Sequence, residues 1–308
     1  MNAVWTDDFD FSWGRRGVDL RVRKTGADVR VDGAVLRDLA TWLAFYAPVR
    51  LKAAATGLLR PGPRVWFAPD RPRPWYLIWA VAAWGGVRFA DSADAADVAF
   101  YFDDSTTGAA PAASVRTLNG ACTDVSKSRV AAVFEDVFGY PLSIDPETWT
   151  GLAVEKGEGN GAHDGQVVAC PQRRRADRVY QRVVDNAEGG LVHDLRTPFV
   201  GGHPVLVFVK SRPVDARFAN LNTGCRLTTP EAVFSPEEVE RLSAFARAMG
   251  LDWGGLDVLR DRASGRVYVV DVNKTDMGPP IALPWLDKLR AVRRLSRALL
   301  ALLSETAS

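Results

Sequence analysis

The stretch GLDVLRDRASGRVYVVDVNKTDMGPP occupies residues 255–280 and contains two short apolar runs separated by the turn-like sequence DRASG. The runs are rich in Val and Leu, yet they carry Asp257, Asp271 and Asn273 where a sheet core favours apolar side chains. Side chains alternate across a strand, so Asp271 and Asn273 project from one face of the second run. A turn centred near Ser264 pairs residues whose numbers sum to about 528, which sets Asp257 opposite Asp271.

Three oxygen-bearing side chains are therefore predicted to converge at one end of a β-hairpin. Hard divalent cations such as Mg²⁺ are held by a few carboxylates together with substrate phosphates. The alternative is that these side chains satisfy local backbone groups or lie on a solvated face, although Val267–Val270 make both faces of the strand apolar. From these residues alone, a metal site and a structural role both stay open.

Composition sets the class of protein. The chain has 308 residues, enough for about two domains, and its 39 basic and 37 acidic residues give no general argument for a nucleic-acid or anionic-membrane partner. Its three cysteines are odd in number and far apart, which indicates a reducing compartment. The most apolar segment, at 75–84, is about half the length of a membrane span, and residues 1–11 do not resemble a signal peptide. We therefore expect a cytoplasmic location and no membrane insertion.

The first hundred residues read as a small α/β unit. A β-hairpin is predicted over 18–31 around a Lys-Thr-Gly turn, followed by a helix over 32–49 that stops at a proline. A strand–helix–strand–strand pattern with a mainly parallel sheet then follows, at 64–69, 75–84, 87–91 and 97–104.

The second part of the chain begins after a loop at 105–114, and we place a boundary near residue 118. An amphipathic helix is predicted over 126–139, ending at Gly139. From residue 150 the order is strand, glycine-rich loop, strand, turn, strand pair, helix, hairpin and final helix. The last of these, over 286–304, is amphipathic and is expected to pack on the core.

A glycine-rich loop is the second candidate for chemistry. In GLAVEKGEGNGAHDG (151–165) a short apolar strand leads through Lys156 into a loop with four glycines, Gly157, Gly159, Gly161 and Gly165. Glycines let backbone N–H groups approach phosphate closely, and a lysine adds a point charge. The Gly-Lys-Ser/Thr ending of a P-loop is missing, Glu155 and Glu158 disfavour phosphate unless a cation is also present, and a flexible surface hairpin is an equal alternative.

The third candidate is the basic stretch 193–224. Arg196 is predicted at the start of a strand, with Gly201–Gly202 turning the chain back into PVLVFVK. Lys210 and Arg212 share a strand face, which suits a triphosphate or a carboxylate, although a charged sheet edge is the alternative. Further polar residues follow, namely Arg217, Asn220 and Asn222. The three histidines, His163, His193 and His203, all fall near loop sequence and support no catalytic triad.

Taken in order, these segments resemble the ATP-grasp superfamily, in particular the branch of ribosomal-protein S6 glutamate ligase and glutathione synthetase. Five pieces carry the resemblance: 123–141 with Lys127, 152–165 with Lys156, the hinge-like VYQRVVDN at 179–186, the basic stretch 193–224, and the hairpin from residue 255. The implied fold is α/β (α+β), with two α+β lobes clasping ATP after a small N-terminal α/β domain. The implied division is 1–118 for that domain, 119–181 for the small lobe and 182–308 for the large lobe.

The resemblance also implies roles for individual residues. Lys127 and Lys156 would contact the α- and β-phosphates beside the loop glycines, Gly157, Gly159 and Gly161. The hinge would bind adenine through backbone groups of Arg182, Val183 and Val184, with Gln181 in a place often held by glutamate. Mg²⁺, or Mn²⁺ in its place, would be held by Asp257, Asp271 and Asn273. The acceptor carboxylate and the transferring phosphoryl group would meet Arg196 and one of Lys210, Arg212 and Arg217.

The implied activity is an ATP-dependent, ADP-forming ligase that joins a small-molecule or peptide carboxylate to an amine or thiol through an acyl phosphate. The alternatives are an ATP-grasp kinase and a non-catalytic nucleotide-binding protein. Three departures from the family pattern concern the substrate side: Asp271 replaces the usual glutamate, Lys-Gly replaces Lys-Pro at Lys156, and KTDMGPP replaces a Pro-Gly turn after Asn273. The sequence indicates no oligomeric state.

Overall fold

The computed structural model describes residues 8–14, 17–23, 27–59, 62–161, 164–218 and 222–306. The predicted turn at 24–26, together with His163 and Asn220, lies outside these residues. The described chain contains three free cysteines. None of its described helices is both long enough and apolar enough to cross a membrane.

The first sheet is antiparallel and three-stranded. Its strands are β1 (Phe9–Gly14), β2 (Gly17–Val22) and β3 (Ala27–Arg30), in that order. The pairing of β2 with β3 confirms the hairpin predicted over 18–31. β1 pairs along the whole of β2 and is an additional strand that was not predicted.

Helix α1 (Gly33–Leu59) continues through Pro48, so the predicted stop at this proline is wrong. Proline has no backbone N–H, and the carbonyl of Ala44, four residues earlier, therefore lacks its helical donor. The indole Nε1 of Trp285 donates to this carbonyl at 3.1 Å and supplies the missing hydrogen bond. Val49 is completely buried directly after the proline. A contact with a distant part of the chain thus allows α1 to continue past Pro48.

The next unit is a parallel sheet with one helix between its first two strands. Its elements are β4 (Arg64–Pro69), α2 (Leu77–Trp84), β5 (Arg88–Phe89), β6 (Val98–Phe102) and β7 (Thr117–Leu118). The strand order is β5-β4-β6-β7, and every neighbouring pair is parallel, which confirms the predicted α/β unit. β7 was missed because two residues are too few to show a strand period.

The middle of the chain forms helix α3 (Lys127–Phe138) and a second antiparallel sheet. The strands of this sheet are β8 (Gly151–Gly157), β9 (Gln166–Cys170) and β10 (Arg178–Arg182), in the order β10-β8-β9. The Ser126 hydroxyl caps α3 by accepting from the Arg129 N–H, and Gly139 ends the helix in the left-handed conformation at φ 77°. The helix predicted over 126–139 is confirmed.

The largest sheet is also antiparallel, with the main strand order β15-β14-β12-β16-β17. Its strands are β11 (Ala187–Glu188), β12 (Leu191–Val200), β13 (His203–Pro204), β14 (Val207–Pro213), β15 (Gly224–Thr228), β16 (Trp253–Arg260) and β17 (Val267–Asn273). Helices α4 (Pro236–Ala248) and α5 (Trp285–Thr306) complete the fold. Arg196 lies in the middle of β12 rather than at the start of a strand, because β12 begins five residues earlier, at Leu191.

The two faces of the large sheet have different surroundings. One face packs through residues such as Leu195 and Leu256 into a core shared with α3 and α4. The other face carries Arg196 and, further along β12, reaches Val200, which lies in a second core with α1, α2 and α5. The predicted packing of the final helix is therefore confirmed. Arg196 lies where an open, polar half of this face meets a buried apolar half.

Candidate active site

The hairpin β16–β17 places two carboxylates directly across from each other. Asp257 pairs with Asp271, as predicted from the sequence. Closer to the turn the register shifts by one residue, so that Val258 faces Val269 and Val270 is the extra residue. This β-bulge aligns the two aspartates, because a regular hairpin built out from the pair Arg260–Val267 would set Asp257 opposite Val270.

Asp257 is surrounded by basic side chains of the large sheet. Arg196 Nη1 donates to its Oδ2 at 2.7 Å, and Lys210 Nζ donates to its Oδ1 at 3.2 Å. Burial alone would raise the pKa of Asp257, but the guanidinium of Arg196 and the ammonium of Lys210 hold it well below the ordinary range. The carboxylate of Asp257 is therefore ionised at neutral pH.

Arg196 also donates to a second carboxylate, that of Asp276. The Asp276 side chain is only 2% exposed, and its burial raises its pKa to about 6, although Arg196 partly offsets the effect. Arg196 thus bridges the hairpin aspartate and the KTDM segment that follows the hairpin. The prediction from sequence missed Asp276, even though its position three residues after Asn273 places another acidic side chain near the proposed metal ligands.

Asp271 contacts a lysine from another part of the chain. Lys127, the first residue of α3, donates its Nζ to Asp271 Oδ1. Lys127 is nearly buried, with 7% of its side chain exposed, whereas Asp271 is 25% exposed. Asn273 Oδ1 accepts from the Thr275 N–H at 3.2 Å, and Asn273 is absent from the described residues that line the cleft. Two of the three predicted metal ligands therefore face each other, and the third supports the following loop.

The glycine-rich loop approaches the two aspartates from the small sheet. Lys156 at the end of β8 donates to the Val270 carbonyl at 3.1 Å, next to Asp271. Burial, together with the nearby Lys127, lowers the pKa of Lys156 to about 8. The Gly157 N–H donates to Asp164 at 3.1 Å, which closes the base of the loop.

The two glutamates of this segment do not oppose phosphate binding. Glu155 is turned to the other face of the small sheet, where Tyr180 donates to it at 2.8 Å. Glu158 accepts from the Ser128 N–H at 3.0 Å and so lies at the N-terminus of α3, where a carboxylate is favourable. Neither belongs to the described residues that line the space between the sheets.

The hinge segment, residues 179–186, begins within β10 and continues past its end at Arg182. Gln181 is 2% exposed. The Arg182 N–H donates to the Leu142 carbonyl at 3.0 Å, so this backbone donor is already engaged. The Arg182 side chain donates to the Tyr268 hydroxyl at 2.6 Å. Val184 is buried and lines the cleft, whereas Val183 is absent from the described lining residues.

The basic strand β14 supplies the opposite wall. Lys210 and Arg212 project from the same face, as predicted, and Arg212 forms an ion pair with Asp194 of β12. Arg217 follows in a short turn after β14 and also lines the cleft. The neighbouring Phe218 reaches the glycine-rich loop, where a Cβ on Gly165 would lie 3.0 Å from its ring.

These elements line one open cleft, and the space of about 1190 Å³ between them includes open solvent. Thirteen of the predicted site residues line it: Lys127, Lys156, Gly157, Gly159, Gly161, Gln181, Arg182, Val184, Lys210, Arg212, Arg217, Asp257 and Asp271. Among the described lining residues there is no histidine or cysteine. The described chain also holds no cluster of three or more His, Cys, Asp or Glu side chains that could bind a metal ion. Two facing carboxylates nevertheless suit Mg²⁺, which takes few protein ligands when phosphates complete its coordination.

Comparison with other proteins identifies the fold. No protein-family model and no curated protein sequence matches the chain. The structure of the ATP-grasp ligase PsnB complexed with a minimal precursor is 13% identical and covers 80% of this chain and 100% of its own, with a TM-score of 0.51. D-alanine–D-alanine ligase from Bacillus anthracis is 12% identical and covers 80% of this chain and 97% of its own, with a TM-score of 0.46. A RimK domain ATP-grasp protein from Sphaerobacter thermophilus is 14% identical and covers 78% and 99%, with a TM-score of 0.45.

The match to PsnB extends over that whole chain. At this level of identity the likeness concerns the fold alone. The parallel sheet comes first along the chain. It is followed by a small and a large antiparallel sheet, which face each other across the cleft. The chain has the ATP-grasp fold.

Proposed function

We propose that the protein is an ATP-dependent, ADP-forming ligase that joins a carboxylate to an amine or thiol through an acyl phosphate. The observation that carries the proposal is the convergence of the facing pair Asp257 and Asp271 with Lys127, Lys156 and Lys210 in one cleft. These residues come from four separate segments of the chain. Alternating positive and negative side chains around one space suit a metal–triphosphate better than they suit a stable empty surface.

In this proposal the phosphate end of the cleft is formed by the glycine-rich loop, Lys127 and Lys156. Asp257 and Asp271 would hold Mg²⁺, or Mn²⁺ in its place, with Asn273 fixing the loop behind them. When bound, the ion would supply positive charge to the phosphate oxygens. Lys127 pairs with the Asp271 carboxylate and Lys156 with the Val270 carbonyl. With the aspartate charges neutralised by the ion, both lysines would be available to the phosphates.

The chemistry would proceed in two balanced steps. A carboxylate oxygen of the acceptor attacks the γ-phosphorus of ATP, the bond from this phosphorus to the β,γ-bridging oxygen breaks, and ADP leaves. The amine then attacks the acyl carbon, loses a proton and displaces inorganic phosphate. Catalysis of this kind depends on positioning and charge stabilisation. Arg196 would hold the acceptor carboxylate with one of Lys210, Arg212 and Arg217.

We also propose the division into an N-terminal unit (1–118), a small lobe (119–181) and a large lobe (182–308). Its first boundary follows β7, the last strand of the parallel sheet, and its second lies near the end of β10. The N-terminal unit then contains two sheets, the small lobe contains the sheet β10-β8-β9, and the large lobe contains the seven-stranded sheet.

The proposal is tested by measuring ADP release from Mg-ATP over a panel of carboxylates crossed with amines and amino acids. ADP formation that requires both a carboxylate and an amine is expected, and it should be lost in Asp257→Asn. The matched control is Asp136→Asn, an exposed position on α3. ADP formation with a single acceptor would indicate a kinase instead. Nucleotide binding without ADP formation over the whole panel would indicate a non-catalytic protein.

A further inference from the structure

Asp257, one of the two facing carboxylates, is held by two basic side chains. Its Oδ2 accepts from Arg196 Nη1 at 2.7 Å, and its Oδ1 accepts from Lys210 Nζ at 3.2 Å. A divalent cation such as Mg²⁺ binds a carboxylate oxygen at about 2.1 Å, so at Asp257 it would lie within a few ångströms of both basic groups. Like charges at such a separation repel each other. Arg196 and Lys210 therefore compete with a metal ion for Asp257.

A second carboxylate balances this positive charge. Arg196 Nη2 donates to Asp276, whose side chain is only 2% exposed. Among the described residues, Arg196 is the only ion-pair partner of Asp276. The two cations Arg196 and Lys210 are thus balanced by the two carboxylates of Asp257 and Asp276. Without the charge of Asp276, this group would carry one excess positive charge, which disfavours the approach of a metal ion.

The position of Asp276 is built into the fold. Gly255 lies two residues before Asp257 on β16, so the two positions face the same side of the large sheet. A Cβ at Gly255 would lie 2.7 Å from Arg196 Nε and would overlap the carboxylate of Asp276. The glycine therefore leaves the space that Asp276 occupies over the strand. The Asp276 carbonyl accepts from the Leu77 N–H at 2.8 Å, which fixes the backbone at this residue.

We propose that Asp276 is a positioning residue of the metal site, which retains Arg196 when a divalent cation binds Asp257. Arg196 contacts the two carboxylates through different nitrogens, so Nη2 can stay on Asp276 while Nη1 leaves Asp257. Without Asp276 the guanidinium would stay on Asp257, because a buried charge without a partner is costly. Asp276 thereby raises the affinity of the cleft for a metal–nucleotide. The inference rests on the proposed function, since it assumes that Asp257 is a metal ligand.

The test compares the affinity for AMPPNP, a non-hydrolysable ATP analogue, in the presence of Mn²⁺ and in the presence of EDTA. Calorimetry of the full chain at pH 7 gives both affinities, and the wild-type chain should bind more tightly with Mn²⁺. Asp276→Asn should lower the affinity with Mn²⁺ at least about tenfold, because one excess positive charge then faces a divalent ion at short range. Its affinity with EDTA should not fall. An equal loss in both conditions would indicate a general structural role and would overturn the inference.

Removing the arginine as well should abolish the effect. In the double variant Arg196→Met/Asp276→Asn only Lys210 remains beside Asp257, so one cation again faces one carboxylate. The affinity of this variant with Mn²⁺ should return to at least the wild-type value. A double variant that stays weak would show that Asp276 does not act through Arg196, and this measurement decides the question even if Asp276→Asn alone does not fold.

Asp97→Asn is the matched control. Asp97 also accepts from an arginine, Arg64 at 2.8 Å, but it adjoins β6 of the parallel sheet and is absent from the described residues that line the cleft. This control should keep both affinities of the wild-type chain.

An unchanged Mn²⁺ dependence in Asp276→Asn, with Mn²⁺-dependent binding by the wild-type chain, would overturn the inference and leave the proposed function standing. Absence of AMPPNP binding by the wild-type chain in both conditions would overturn the proposed function and the inference with it.

Discussion

Replacing Arg196 by methionine should destabilise the protein strongly and in a pH-dependent way. Arg196 is 12% exposed and donates to two carboxylates, Asp257 at 2.7 Å and Asp276. A charge-assisted hydrogen bond contributes about 1.5–3 kcal/mol, and breaking a buried ion pair costs about 3–5 kcal/mol. Asp257 retains Lys210 at 3.2 Å, so most of the loss falls on Asp276.

The expected loss of unfolding free energy is therefore about 3 kcal/mol at pH 8. For a chain of 308 residues this corresponds to a decrease in Tm of roughly 5 °C. At pH 5 the decrease should be smaller. The pKa of Asp276 is raised by burial to about 6, and without Arg196 it rises further, so the carboxyl group takes up a proton and the buried charge disappears.

Thermal unfolding followed by circular dichroism at pH 5 and pH 8 is the assay. Arg262→Met is the matched control, because Arg262 is 68% exposed and its ion pair with Asp185 contributes little. The double variant Arg196→Met/Asp276→Asn should recover a large part of the Tm lost at pH 8. A decrease in Tm below about 2 °C for Arg196→Met, or an equal decrease at both pH values, would refute the reasoning.

Three further outcomes follow from the cleft. Asp271→Asn should lower ADP release by at least about 10²-fold, whereas the Tm should change little since Asp271 is 25% exposed; retained activity would contradict a role in the metal site. The affinity for Mg-ATP should fall as the pH rises through about 8, the pKa that burial and Lys127 give to Lys156, and Lys156→Met should abolish this pH dependence in calorimetry. Gly165→Val should raise the KM for ATP, because a Cβ at this position lies 3.0 Å from the Phe218 ring. Adding Phe218→Ala to the same chain should reverse the increase. An unchanged KM in Gly165→Val would show that the contact is not needed.

The opposed aspartates could be predicted from the sequence because they depend on local rules. Alternation along a strand and the centre of the turn suffice to set Asp257 against Asp271. The β-bulge that brings Asp257 and Asp271 into alignment could not be predicted from the sequence. The register near the turn differs by one residue from the register at the aspartates, and the bulge at Val270 makes up the difference. Bulges depend on twist and on packing against neighbouring strands, which a local pattern does not contain.

Features that depend on distant residues were the ones missed. The continuation of α1 through Pro48 requires the indole of Trp285, which lies more than two hundred positions further along the chain. The position of Arg196 within β12 depends on where that strand starts, and its second partner, Asp276, comes from a segment without strand or helix periodicity. Glu155 and Glu158 disfavour phosphate binding in the sequence, because a sequence does not show where a side chain points. In the structure both carboxylates are turned away from the cleft.

The KTDMGPP segment, residues 274–280, provides Arg196 with a buried partner, the side chain of Asp276. The Asp276 carbonyl accepts from the Leu77 N–H at 2.8 Å, and the Gly278 N–H donates to the Trp75 carbonyl at 3.0 Å. The segment is thus fixed by backbone hydrogen bonds to Trp75 and to the start of α2. Through its side chain, Asp276 connects the same segment to Arg196, and Arg196 connects it to Asp257. The start of α2 and the hairpin carboxylate of Asp257 are therefore connected through Asp276 and Arg196 by one backbone hydrogen bond and two charged contacts.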